Sequence, residues 1–436
     1  MLNVGLTGGI AAGKSTIATV LTDLGASLID ADALAREVVE VGTEGLAQVV
    51  ESFGPEVLRP DGSLDRPALG RIVFNDDDAR ARLGAVVHPL VTERTRELLA
   101  QASPGQIVVH DVPLIVENDL ADRYHLVVVA GAGEAERHRR LVDSRGLSEA
   151  DAWSRIRAQA VDTQRRAVAD VWIDTERPRE HVRAEVEDLW HTRLVPFAEN
   201  MAQNRRAERR PGPAVLVDPP STAGHPTAVK QESSDEAKAP TSDIDPRLGD
   251  TDRTAGDRPW HVQAGHLLAR IQRAVHDQVE SADHIGSTAV PRLPAKDVID
   301  LQLGVPDLAV AGELDEPLRA AGFILCAQYD HDTPKPNEPD PARWRKRYYS
   351  NADPGRAVNL HVREVASPGW CYALAFRDWL RADEAARAEY ADLKQGIAAV
   401  TTTTGEYSRT KEPWFTTAWP RLQAWIEQAD WSPDYA

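Results

Sequence analysis

The sequence predicts a two-domain protein: an α/β domain built on a parallel sheet in the first 200 residues, then a second, α/β or α+β, domain. Three observations carry this. Apolar runs without alternation, such as "NVGLT" from Asn3 and "YHLVVVA" from Tyr124, are spaced by helical stretches, as in strands buried on both faces. At 436 residues the chain is too long for one hydrophobic core. The stretch from Pro211 to Pro259 holds eight prolines, and no aromatic residue lies between Phe197 and Trp260, so it reads as an extended linker. The expected boundaries are 1–210, 211–258 and 259–436.

Each element has its own signal. The first strand runs into a glycine-rich turn and a helix with Ile17, Val20, Leu21 and Leu24 on one face. Strands "ASLID" and "QIVVHD" follow, the second ending at Asp111. The basic "NRRAERR" at 204–210 is expected to end the preceding helix as a solvated face. Beyond Trp260, Leu267, Leu268, Ile271, Val275 and Val279 fall at helical spacing, followed by a strand at 297–305, a helix around 314–321, the strand "AVNLHV" and C-terminal helices.

Composition limits the partners. A formal net charge of -18 argues against non-specific binding to nucleic acid or to an anionic membrane. Two cysteines, Cys326 and Cys371, fit a reducing compartment. With no signal-like N-terminus and no apolar run near 18 residues, a soluble cytoplasmic protein is expected.

The stretch "LTGGIAAGKST" contains Gly8, four residues, Gly13, Lys14 and Ser15, a P-loop between a strand and a helix. Its glycines let successive N–H groups point at phosphate oxygens, Lys14 bridges the outer phosphates and the Ser15 hydroxyl holds Mg2+. The expected nucleotide site is therefore Gly8, Gly9, Ile10, Ala11, Ala12, Gly13, Lys14, Ser15 and Thr16, with ATP and magnesium as ligands. Lys14 is the sole lysine before Lys230, in a region that otherwise uses arginine. A compact ammonium suits the loop where a planar guanidinium does not. No N-K-x-D segment for reading guanine is present, so a small-molecule kinase is favoured over a GTPase.

Further segments stand in order: "IDADALAREVV" (29–39), "DGSLDR" (61–66), "HPL" (88–90), "VPLIVE" (112–117), "RRLVDSRGLS" (139–148) and "RIRAQ" (155–159). Over about residues 1–197 this pattern resembles the dephospho-CoA kinase family. The resemblance implies a P-loop kinase fold with a helical lid, and transfer of the γ-phosphate of ATP to the ribose 3'-hydroxyl of dephospho-CoA. Lys14, Asp32 and Arg140 are then the catalytic candidates: Asp32 to orient or deprotonate the hydroxyl, Arg140 to close over the transferring phosphoryl group from an arginine-rich lid helix. Asp32 equally suits a helix N-cap. Substrate-pocket candidates are Asp32, His88, Asp111, Pro113 and Leu114. Asp111 reads either as a Walker-B-like carboxylate or as a turn residue; His88 precedes proline, which steers it away from helix, and reads either as a pocket residue or as a turn histidine. Where the family ends its last strand with Asp-Asn, this chain has Asp174-Thr175. Another small-molecule P-loop kinase, or a nucleotidyltransferase with an ATP-sensing P-loop domain, are the alternatives.

In the second half, "HIGSTAVPRLPAKDVIDLQL" (284–303), "RWRKRYY" (343–349) and "NLHV" (359–362) resemble the GrpB-like family, with a nucleotidyltransferase-like fold, over about 257–425. Two-metal nucleotidyl transfer uses carboxylates on adjacent strands. Here Asp300 is followed by Leu301 and Gln302, and the third position falls near Asn359 or His361. A non-catalytic domain with a folding or regulatory role is expected.

Overall fold

A computed structural model of the chain describes residues 1–74, 76–209, 212–218 and 259–433. It divides into two compact units, Met1–Arg165 with Trp172–Ala202, and Arg166–Val171 with Gln203–Ala436.

In the first unit β1 (Leu2–Gly8), β2 (Ser27–Asp30), β3 (Ile107–Asp111), β4 (Leu126–Gly131) and β5 (Val171–Asp174) form one sheet in the order β2-β3-β1-β4-β5. Every residue of β1 and β4 is buried, which is why both read as unbroken apolar runs. Parallel registers Leu6↔Asp111 and Gly8↔Ala130 bring the carboxyl ends of β3, β1 and β4 to one edge. The glycine loop leaves that edge into the helix Lys14–Asp23, whose Ile17, Ala18, Val20 and Leu21 are buried. Helices Glu134–Arg145 and Glu149–Arg157 pack Leu141, Ala152 and Ile156 directly against Ile10 and Ala11 of the loop.

One local expectation is overturned. His88 and Pro89 lie inside the continuous helix Asp77–Ala100 rather than at a break or turn. Proline disfavours helix in the residue before it. Here the helix is held from both sides, by Leu83, Val86 and Val87 on the cluster around Val49 and by Val91 and Leu98 on that around Ile29. Tertiary packing outweighs the local preference.

The second unit carries β6 (Ser281–Ile285), β7 (Val298–Val305), β8 (Phe323–Leu325), β9 (Arg347–Asn351) and β10 (Ala357–Glu364) in the order β6-β7-β10-β9-β8. Only β7 and β10 pair in parallel; the other pairs are antiparallel, giving a mixed sheet. The helix Trp260–Val275 covers it, ending before the expected Val279. Helices Pro368–Ala382, Glu384–Val400 and Thr404–Gln428 form an aromatic-rich layer around Trp379, Tyr390 and Trp419.

The stretch expected to be helix end and linker contributes to this unit. The last helix before it ends at Ala202. The Ala207 N–H donates to the Asn351 carbonyl (3.0 Å), Val217 and Ala295 exchange backbone bonds of 2.8 and 3.0 Å, and Ala214 is buried beside Ile397 and Tyr407. The apolar "AVLV" at 214–217 supplies the reason: it can bury where the surrounding prolines cannot. Residues 219–258 of the expected linker lie outside the described residues.

Candidate active site

The glycine loop shows why its residue types are needed. Ala11 and Gly13 both take left-handed backbone conformations, with φ of 61° and 85°. A methyl group at Gly9 would fall on the Arg137 guanidinium. The loop is tied down from outside: the Ile10 N–H donates to Gln159 Oε1 (2.7 Å), and the Thr175 hydroxyl lies 2.6 Å from the Ala12 carbonyl and 3.0 Å from that of Gly131. Thr175, the departure from the family pattern, is buried and serves as the strut beneath the loop.

At the edge formed by β1 and β3, Lys14 Nζ pairs with the Asp111 carboxylate. Burial holds the Asp111 carboxyl above its ordinary range; the charges of Asp30 and Asp32 add to this while Lys14 opposes it. Asp111 thus sits among neighbouring carboxylates with one ammonium between them. The helix Ala31–Glu37 is capped by Asp30, which accepts from the Ala33 N–H at 2.9 Å. Asp32, in the first turn and exposed, is left with its carboxylate in the open. The Thr7 hydroxyl donates to the Pro113 carbonyl (3.0 Å), fixing the start of the segment that carries Leu114, itself 41% exposed. His88 is exposed on its helix, and Ser15 is exposed in the first turn of the helix that begins at Lys14. Ser15 offers a hard oxygen donor of the type magnesium takes, and it stands one residue from the phosphate-binding lysine.

The two lid-helix arginines divide their work differently from the sequence expectation. Arg140 spends its guanidinium on protein: Nε on Glu136 (2.7 Å), Nη1 on Ala11 O and Thr175 Oγ1 (both 3.2 Å), and Nη2 on Thr175 O (2.7 Å). Arg137, one turn earlier and 1% exposed, lies against Gly9 with Nε and Nη1 lacking any hydrogen-bond partner. Its acidic neighbours are Asp162, at 3.8 Å, and, further off, Glu134. Burial lowers its pKa from the ordinary value. A fully buried guanidinium with two idle nitrogens beside a phosphate cradle calls for an anion. Composition singled out the helix but not this residue; only the phase of the helix against the loop separates the two.

In the second unit the parallel register sets Asn359 opposite Asp300 and His361 opposite Gln302. Asn359 Nδ2 donates to Asp300 Oδ1 (2.6 Å), while its Oδ1 accepts from Tyr348 OH and Arg209 Nη2, both at 2.6 Å. Arg363 donates to Gln302 and, at 2.8 Å, to Asp332. The positions where further carboxylates would stand hold neutral groups inside a closed polar network. Arg209, from the basic stretch expected to be solvated, belongs to that network.

Sequence comparison divides the chain in the same way. A profile of the dephospho-CoA kinase family matches residues 2–179 and one of the GrpB protein family matches 254–421. A dephospho-CoA kinase of Mycolicibacterium paratuberculosis is 41% identical over 449 residues, covering 99% of this chain and 100% of its own. One from Streptomyces avermitilis is 55% identical over 190 residues, 44% of this chain and 93% of its own. Among solved structures, the conserved protein GrpB from Enterococcus faecalis aligns with 37% of this chain and 92% of its own at 21% identity, with a TM-score of 0.32.

Proposed function

The chain belongs to the dephospho-CoA kinase family, and from that premise we propose that its first unit moves the γ-phosphate of ATP to the ribose 3'-hydroxyl of dephospho-CoA, giving coenzyme A and ADP. The observation that carries the mechanism is the cradle itself: a loop tied down by Gln159, Arg140 and Thr175, Lys14 held at its mouth by Asp111, and Arg137 facing it with two nitrogens unused.

In this reading Lys14 exchanges Asp111 for the outer phosphates, and Arg137 supplies the charge that grows in demand as the phosphoryl group detaches. Asp32 receives the 3'-hydroxyl proton as the new oxygen–phosphorus bond forms and the bond to the β-phosphate oxygen breaks. Arg140 and Thr175 are positioning residues, holding the loop from behind. Magnesium fits at the Ser15 hydroxyl, where it would neutralise charge on the outer phosphates. His88, Asp111, Pro113 and Leu114 are assigned to the acceptor side. The second unit is read as non-catalytic, supported by the neutral Gln302 and Asn359 around Asp300. The net charge of -18 supports an enzyme that does not bind nucleic acid, the scarcity of cysteine fits a reducing cytosol, and among the described residues no helix is long and apolar enough to cross a membrane.

The test is ADP formation by the full chain with ATP, magnesium and dephospho-CoA. Turnover that disappears in Lys14→Ala, with the circular-dichroism spectrum unchanged, is the expected result. Turnover that survives Lys14→Ala, or that prefers another alcohol over dephospho-CoA, overturns the proposal.

A further inference from the structure

Gln159 ties down the phosphate loop through the Ile10 N–H, and the next residue is tied to the opposite side of the site. The Ala160 N–H donates to Glu117 Oε1 at 2.9 Å. Both bonds arise in residues 158–161, the short link between the lid helix Glu149–Arg157 and the helix that begins at Asp162. Glu117 closes the segment after β3, and its neighbours are folded into one tight turn. The Asn118 N–H donates to the Leu114 carbonyl (3.1 Å) and the Leu120 N–H to the Ile115 carbonyl (2.9 Å), with Ile115 fully buried. Leu114 and Glu117 therefore belong to one closed piece of backbone.

Glu117 passes over a charged partner to make its bond. Arg165 is 2% exposed, and its Nη2 stands 3.6 Å from Glu117 Oε1, without a hydrogen bond there or elsewhere. The Arg165 guanidinium donates instead to Asp162, from Nη1 at 3.2 Å, and the same Asp162 oxygen lies 3.8 Å from Arg137. A carboxylate beside a buried guanidinium ordinarily takes the two-point contact that the planar fork offers. Here it is aimed at the backbone of the link. The peptide it holds is the one joining Gln159 to Ala160, so it also sets the direction in which the Gln159 side chain leaves toward the loop.

We propose that Glu117 is a positioning residue that couples the acceptor side of the site to the phosphate loop. The relay runs from the Leu114 turn through Glu117 to the Gln159–Ala160 peptide, and from the Gln159 side chain to Ile10. An acceptor seated on Leu114 holds the turn, the turn holds the peptide, and Gln159 then keeps Ile10 and its loop in the nucleotide-binding arrangement. Linkage is reciprocal, so a bound nucleotide holds Glu117 and the acceptor turn in the same way. The direction of the coupling rests on the reading of Leu114 as an acceptor contact; the relay from Glu117 to Ile10 does not.

The experiment titrates the full chain calorimetrically with adenylyl imidodiphosphate, an ATP analogue that resists transfer of its γ-phosphate, without and with saturating dephospho-CoA. Dephospho-CoA should tighten binding of the analogue about fivefold or more. Glu117→Ala, which removes the accepting oxygen, should still bind the analogue but lose this enhancement, and Glu117→Gln, which keeps an oxygen for the Ala160 N–H, should retain it. Hydrogen exchange with the analogue alone gives a readout independent of the acceptor: residues 112–120 should gain protection in the unsubstituted chain and in Glu117→Gln, but not in Glu117→Ala. If dephospho-CoA does not bind, the assigned acceptor falls while the exchange result still decides the relay. An enhancement or a protection that survives Glu117→Ala, or residues 112–120 left unprotected in the unsubstituted chain, overturns the proposal. So does an equal loss in Glu117→Gln, which would place the effect in the charge beside Arg165 instead of the bond to Ala160.

Discussion

Asp111 and Asp300 occupy comparable places and lead different lives. Each belongs to a sheet strand, beside a glycine-containing turn that follows another strand. Asp111 faces a single cation, Lys14, at the end of a flexible four-carbon stem that a phosphate could draw away. Asp300 faces the Asn359 amide, itself pinned by Tyr348 and Arg209. A carboxylate whose partner can be exchanged for substrate is available for catalysis, while one closed into a hydrogen-bonded network of protein groups holds a fold together. The neighbours, not the aspartate, make the difference.

The largest expected effect comes from the anion-seeking arginine on the Asp111 side. Arg137→Met should lower kcat about 10²–10³-fold, in the range of lost transition-state charge stabilisation, with KM for ATP little changed. Arg140→Met should raise KM more than it lowers kcat, because its donors hold the loop. Steady-state kinetics on both variants decide this, and equal kcat losses would remove the distinction.

The direct comparison is next. Asp111→Asn should cost about 10–100-fold in kcat/KM, whereas Asp300→Asn should leave kinase turnover unchanged and lower stability by about 1–3 kcal/mol through its broken network. Turnover assays alongside denaturant melts of both variants provide the reading, and a kinase defect in Asp300→Asn would break the contrast.

The units should also answer acid differently. Burial holds His284 at about 3 and His361 well below its ordinary value in the second unit, and His110 at about 4 in the first. Below pH 6.5 the unfolded chain takes up protons that these buried rings refuse, so stability falls as pH drops, by up to about 1.4 kcal/mol per pH unit for each histidine. Between pH 6.5 and 5, hydrogen exchange corrected for intrinsic rate should show β7 and β10 losing more protection than β1 and β4. The smallest effect belongs to Thr175→Val, which removes the strut under the loop and should raise KM for ATP about fivefold, roughly 1 kcal/mol, with kcat retained.

The phosphate cradle was legible because it is contiguous: the glycines, Lys14 and Ser15 carry their chemistry within a few residues of one strand and one helix. The buried parallel strands of the first unit were legible for the same reason, each being a local apolar run. What escaped depends on phase or on distant partners. Arg137 and Arg140 differ by one helical turn, and only the packing of Leu141 on Ile10 and Ala11 decides which guanidinium meets Gly9. His88 looked like a break because the apolar residues that hold its helix, among them Val49 and Ile29, belong to other elements of the chain. In the second unit β6 and β9 are short and partly polar and β8 is only three residues long, so no period announces them. The strand-like Val217 pairing is set by Ala295, which no local pattern reveals.

The left-handed alanine in the phosphate loop has a calorimetric consequence. A non-glycine residue at φ 61° stores about 1 kcal/mol of strain, held in place by Gln159, Thr175 and Arg140. The loop has therefore surrendered its conformational entropy during folding. Nucleotide association should carry little further ordering cost from this segment, and Ala11→Gly should return part of that entropy, making the binding enthalpy more favourable and the entropy less so at nearly constant affinity.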